Sequence, residues 1–231
     1  MNQEGKARAK RPLALVYRGP ASCSGCSEAA AALLQSSRWD FAIQYVGPQE
    51  RRQLSESAFE GATLYVQPGG NGTVEEAFAA LRGYARAIRQ FVKNGGRYLG
   101  FCMGGYLAGT TPGFHLLPAD TDQFITSAGA SVRTEADTVV KVYWRDQPRY
   151  MYFQDGPYFP LPRAPKGTTV LATYTNRTIA ALVTPFGKGS VGVVGPHPEA
   201  TVDWYAEHSL VDPDGPDADL GHDLIDTLMS L

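Results

Sequence analysis

The sequence predicts an α/β domain with a mainly parallel central sheet covered on both faces, and with additional antiparallel strands in its second half. Two observations carry that prediction. Up to Phe101, short apolar runs alternate with stretches of helical periodicity, the rhythm of strand–helix–strand crossovers. Beyond Val139, strand-like runs follow one another across turns too short for helical crossovers, so at least some of them must pair antiparallel.

Element by element, Leu13–Tyr17 reads as a buried strand and Ser24–Ser36 as an Ala/Leu-rich helix. Phe41–Val46 follows as a strand, Gln49–Phe59 as a polar helix and Ala62–Gln67 as a third strand. Thr73-Val-Glu-Glu76 is a capping box, in which the Thr hydroxyl accepts from the third helical N–H and Glu76 reaches back. Phe78, Leu81, Ala85, Ile88 and Val92 then recur at spacings of three and four. That stripe predicts a single helix of about 20 residues, stopped by Asn94-Gly95-Gly96. Arg97–Phe101 resumes as a strand. In the second half, Val139–Trp144, Arg149–Phe153, Thr168–Tyr174, Ile179–Val183 and Ser190–Val194 are strands, and helices return after Pro198 and at Asp219–Leu231. No repeat or composition break divides the chain, so residues 12–231 read as one domain.

Residues 1–11, with Lys6, Arg8, Lys10 and Arg11, read as a flexible basic arm. The apolar stretch that follows, Pro12–Tyr17, is shorter than the roughly 7–15 residues of a signal-peptide core, so a cytoplasmic location is expected. The 231 residues suffice for one hydrophobic core without metal or disulfide support. With 21 Lys+Arg against 23 Asp+Glu there is no basic excess, which argues against general nucleic-acid binding. No apolar run approaches the roughly 20 residues of a membrane span, and 3 Trp, 12 Tyr and 10 Phe argue against disorder. Three cysteines are too few for a disulfide framework and read as chemistry.

The chemistry gathers in three motifs. Gly100-Phe-Cys102-Met-Gly104, where a strand runs into a helix, is the cysteine form of a nucleophile elbow. Its glycines permit a sharp turn that exposes the thiol at a helix N-terminus, where free N–H groups and the dipole favour thiolate. Downstream, Gly195-Pro-His197-Pro-Glu199 places a base and an acceptor two residues apart on a loop, so that Glu199 can orient His197 toward Cys102. Alternatively, His-Pro-Glu simply opens a helix. Gln67-Pro-Gly69-Gly70-Asn71-Gly72 lies between a strand and a capped helix. Its N–H groups, with that of Met103, can form an oxyanion hole; it lacks the Gly-Lys-Ser/Thr ending of a phosphate loop.

These motifs, in this order, resemble the class I glutamine amidotransferase-like superfamily. Within it, Gly100–Gly109, Asp155-Gly-Pro-Tyr-Phe159 and Gly195–Glu199 are most similar to the biotin-protein ligase N-terminal domain family. The resemblance covers essentially residues 12–231 and implies a flavodoxin-like three-layer sandwich. It maps the superfamily triad onto Cys102, His197 and Glu199, with Gly69, Gly70 and Met103 near the oxyanion. Gly105 stands where glutamine amidotransferases usually carry His or Gln, and the chain shows neither an ammonia-accepting synthase domain nor the nucleotide loop of a biotin ligase.

Asn71, Tyr106, Asp155 and Tyr158 are the candidate substrate-pocket residues. Cys23 and Cys26 read as a reversible redox pair, as unlinked residues or as half of a metal site; no complete metal site and no cofactor are expected. Asp212–Asp219 reads as a solvated connection, and His115, His208 and His222 as structural residues. The expected function is that of a stand-alone cysteine-dependent hydrolase or acyl-transfer enzyme acting on a small amide or related acyl compound. Its expected partners are that substrate and, at most, an ammonia-accepting or other enzyme, with no nucleic acid and no membrane. The alternatives are a non-catalytic binding or regulatory module that keeps the elbow, and a thiol chaperone or glyoxalase-like member of the same superfamily.

Overall fold

The computed structural model describes residues 11–231, so most of the expected basic arm lies outside the described residues. Arg11 is held, its guanidinium donating to the Asp40 carboxylate and the Phe41 carbonyl, each at 2.8 Å.

The first half of the chain builds β1 (Leu13–Tyr17), α1 (Cys26–Ser36), β2 (Ala42–Val46), β3 (Leu64–Gln67), α2 (Val74–Leu81), α3 (Ala85–Lys93), β4 (Arg97–Phe101) and α4 (Met103–Leu107). The second half builds β5 (Asp122–Gln123), β6 (Thr138–Trp144), β7 (Gln147–Phe153), β8 (Pro157–Tyr158), β9 (Thr169–Tyr174), β10 (Ile179–Phe186), β11 (Gly189–Val194), α5 (Val202–Glu207) and α6 (Ala218–Ser230). Nine strands form one sheet in the order β2-β1-β3-β4-β11-β10-β9-β6-β7. The core from β2 to β11 is parallel, and β10, β9, β6 and β7 extend it antiparallel. β5 and β8 pair as a separate small ribbon.

The pleat explains the three layers. Along β1, Ala14 and Val16 join a core with Leu33 and Leu34 of α1 and Leu224 and Leu228 of α6. Leu15 and Tyr17 point to the opposite face, where Leu81, Ile88 and Val92 cover them. A strand buried on both faces has no polar alternation, which is why β1 reads as a continuous apolar run.

Parallel strands also put their C-terminal ends on one edge, the usual location of α/β sites. The register is specific here: Gln67 of β3 pairs with Gly100 of β4, and Phe101 of β4 with Val194 of β11. Gly69, Cys102 and His197 therefore leave the sheet side by side.

Three local expectations are corrected. The expected long helix is two, α2 and α3, broken at Arg82–Tyr84, where Tyr84 N–H donates to the Leu81 carbonyl instead of continuing the helical ladder. Gly83 weakens a helix interior by about 1 kcal/mol relative to alanine. Gln49–Phe59 is not a helix; only Ser57–Phe59 makes a 3-10 turn. Arg52 bridges to Val46, and the Ser55 hydroxyl accepts from Ala58 N–H, offering the backbone a local alternative to helix. α1 starts at Cys26 rather than Ser24, with Gly25 at its N-cap.

Candidate active site

Cys102 sits between β4 and α4 with φ 46° and ψ −103°, a conformation costing a non-glycine residue on the order of 1–3 kcal/mol. The flanking backbone enforces it. A Cβ on Gly100 would lie 2.3 Å from the Gly104 carbonyl oxygen, and one on Gly104 would lie 2.1 Å from that of Gln67. Cys102 N–H donates to the Val194 carbonyl at 2.9 Å, pinning the elbow to β11. The thiol is largely buried and faces the Gln154 carbonyl at 3.5 Å. α4 spans only five residues, so its summed dipole is small and the helix contributes less to a thiolate than the motif suggests.

His197 lies on the loop that follows β11. Its Nδ1 lies 2.8 Å from Glu199 Oε1, and both side chains are buried. Burial by itself would lower the imidazole pKa. The charge of Glu199, the charge of Cys102 and hydrogen bonds to both outweigh it and push His197 up to about 10. The His197 backbone N–H donates to the Tyr152 carbonyl at 2.9 Å, and the rings of Tyr152 and Trp204 stand edge-on to the imidazole, at 5.9 and 5.4 Å between centroids. Neither aromatic residue stands out in the sequence. They reach His197 only through the placement of β7 and α5, which no local motif encodes.

The glycine loop divides its labour. Gly70 lies against Met103, whose Cγ is 3.0 Å from the position of a Cβ on Gly70. Among the described residues neither the Gly70 nor the Met103 N–H has a hydrogen-bond acceptor, so both are available for an oxyanion. Gly69 is set deeper, where a Cβ would meet His197 Cε1 at 2.8 Å and Cys26 Sγ at 3.5 Å. It positions the imidazole rather than facing the cavity.

That cavity, about 820 Å³, opens over Cys102, Met103 and Tyr106. Gly70–Glu75, Asp122, Gln123, Glu135, Gln154 and Asp155 are among the residues that line it. Asn71, Tyr106 and Asp155 are among its lining residues. Tyr158 is not; its hydroxyl donates to Asp122 at 3.1 Å and supports the wall from behind. Asp155 accepts from Gln123 Nε2 at 2.7 Å, while its other carboxylate oxygen is buried without a partner among the described residues. Burial raises its pKa, the Gln123 bond opposes that rise, and Glu135 adds to it.

Of the three readings of Cys23 and Cys26, the structure has them joined as a disulfide. Among the described residues no group of three or more His, Cys, Asp or Glu side chains is arranged to hold a metal ion. The acidic loop is not simply solvated: Asp214, Asp217 and Asp219 all pair with Arg149, and Asp217 is buried.

Comparisons with known proteins bear on the family and the fold. Residues 13–122 match a family model described as biotin-protein ligase, N terminal. The chain also superimposes on a GMP synthase subunit from Thermoplasma acidophilum, with a TM-score of 0.60 at 12% identity over 96% of each chain. The likeness to that structure is one of fold. The fold is also shared with a ThuA-like protein from Bacteroides uniformis, at 13% identity and a TM-score of 0.55 over 99% of this chain and 94% of the other. It recurs within a β-galactosidase from Bacillus circulans, at 13% identity and a TM-score of 0.52, where 97% of this chain covers 31% of the longer one. No curated protein sequence matches the chain. No helix among the described residues is long and apolar enough to cross a membrane.

Proposed function

We propose that this amidotransferase-like domain is a cysteine-dependent hydrolase or acyl-transfer enzyme for a small amide or related acyl compound. The observation that supports this reading best is the buried His197–Glu199 pair beside a thiol held on a strained elbow, at the floor of a cavity. His197 takes the Cys102 proton, and the sulfur attacks the substrate carbonyl. The Gly70 and Met103 N–H groups receive the negative charge that develops on oxygen. Collapse of this intermediate breaks the C–N bond; the imidazolium protonates the departing amine, leaving a thioester on Cys102. Water or another nucleophile, deprotonated by His197, then releases the acyl group and restores the thiol.

The cavity wall narrows the substrate. Glu75, Asp122, Glu135 and Asp155 line it, and among the described residues no Lys or Arg does. A substrate carboxylate would meet like charge there, whereas a neutral or cationic amide would not. The test is ammonia release from a panel of amides, with glutamine and its carboxylate-free analogue glutaminamide as the diagnostic pair. Turnover of the carboxylate-free amides, abolished in Cys102→Ala, is expected. Saturable binding with no turnover by wild type would favour a binding module instead.

A further inference from the structure

The loop between β1 and α1 is built against the back of the Gly69–Gly70 turn. Gln67 Nε2 donates to the Ala21 carbonyl at 3.1 Å, and Cys23 N–H donates to the Gly69 carbonyl at 3.0 Å. The Ala21 carbonyl oxygen lies 3.0 Å from the position of a Cβ on Gly70, so the two loop segments pack closely. Cys26 Sγ and His197 Cε1 converge on the same side of Gly69, the sulfur 3.5 Å and the ring carbon 2.8 Å from where a Cβ would stand. The disulfide thus touches the residue that spaces the catalytic imidazole from the oxyanion turn.

Its two sulfurs differ. Cys26 is buried and is the first residue of the 11-residue helix α1; Cys23 is partly exposed on the loop outside it. A ring closed over two intervening residues constrains the unfolded chain far less than a long loop does, so stapling the fold is a weak reason for this bond.

The geometry points to Cys23–Cys26 as a reversible redox-modification site, reduced by a dithiol and holding Gly69 and His197 in their working positions when oxidised. A thiolate of the dithiol attacks the accessible Cys23 sulfur; the Cys23–Cys26 bond breaks, and its electron pair leaves on Cys26. The first-turn N–H groups of α1 stabilise that departing thiolate. The second thiol of the reductant then attacks its own sulfur in the mixed disulfide, frees Cys23 and closes the reductant's disulfide. Two electrons and two protons pass to the protein. The reduced loop keeps its hydrogen bonds but loses the tether that fixes the Cys26 sulfur against Gly69, and the turn loosens.

The test uses the full chain treated with dithiothreitol or diamide, desalted, and read three ways. Peptide mapping counts the Cys23 and Cys26 thiols; hydrogen exchange follows residues 67–72; and iodoacetamide reports the labelling rate of Cys102. Reduction without unfolding, faster exchange confined to that turn, and a Cys102 rate changed severalfold and restored by diamide are expected. A Cys23→Ser/Cys26→Ser variant should resemble the reduced protein and ignore both reagents. Global unfolding on reduction would make the bond a structural staple, and unchanged exchange would sever it from the turn; either result overturns the proposal. An unreactive Cys102 in both states, with exchange still redox-dependent, would instead remove the nucleophile assignment and leave the redox site standing.

Discussion

His197 Nδ1 and Glu199 Oε1 lie 2.8 Å apart, and the other oxygen of that carboxylate is buried with no partner among the described residues. The imidazole is therefore the hydrogen-bonding partner on which this buried carboxylate depends, and the Glu199 charge favours the protonated imidazole. Glu199→Gln keeps the shape and removes the charge. We expect any turnover to fall by about 10²–10⁴-fold, the range of general-base effects, and Cys102 labelling to lose part of its advantage over the unfolded chain, with the fold retained. Circular dichroism beside peptide-resolved labelling checks this; unfolding with no selective loss would make His-Pro-Glu a structural turn.

The same pair sets a pH dependence. His197 is raised from 6.5 to about 10, burial opposing and the Glu199 and Cys102 charges prevailing. A raised folded-state value means that the stability from protonated His197 is complete below pH 6.5 and is lost as pH climbs toward 10. Thermal midpoints measured from pH 6.5 to 10 should decline in wild type, and more shallowly in Glu199→Gln. Equal slopes would contradict the coupling.

Gly69 and Gly104 should fail differently when changed to alanine. At Gly104 the new methyl meets the Gln67 carbonyl oxygen at 2.1 Å, rigid backbone on both sides, and a loss of about 1–3 kcal/mol or more is expected. At Gly69 the nearest obstacle is the imidazole edge at 2.8 Å, so the His197 side chain gives way before the fold does. Urea denaturation and Cys102 labelling together separate the cases: Gly104→Ala loses stability, and Gly69→Ala loses reactivity. Retention of full reactivity in Gly69→Ala would show that His197 needs no such spacing.

Much of this site is legible in the sequence because its motifs sit where strands end. Gly-x-Cys-x-Gly, the glycine loop and His-Pro-Glu each follow an apolar run, and parallel strands bring such ends to one edge. What sequence does not supply is distance across the sheet. Tyr152 and Trp204 reach His197 only through the pairing of β7 and the return of α5, and Tyr158 falls behind the wall because β8 pairs with β5. The apolar stripe from Phe78 to Val92 is helical as its spacing predicts, but one glycine turn divides it. The depth of Gly69, between imidazole and disulfide, follows from three separate chain segments and from no local signal.

Away from the site, Asp217 is buried beside Arg149 and raised to about 8, by burial first and then by Asp212; Arg149 opposes the shift, and Asp214 and Asp219 add to it. Its protonated form is the one the fold favours, so its contribution is complete below pH 3.8 and disappears as pH rises through about 8. Asp217→Asn imitates the protonated state. Its thermal midpoint, relative to wild type, should rise as pH goes from 5 to 8.5; a constant difference would show that Arg149 keeps Asp217 ionised throughout.

Activation of Cys102 by His197 is measured by peptide-resolved iodoacetamide labelling at pH 6.5. Folded wild type should modify Cys102 at least about tenfold faster than the urea-unfolded chain, where the thiol is an ordinary one, and His197→Ala should abolish that advantage without unfolding. Equal rates in the folded, unfolded and His197→Ala proteins would mean that His197 does not activate Cys102.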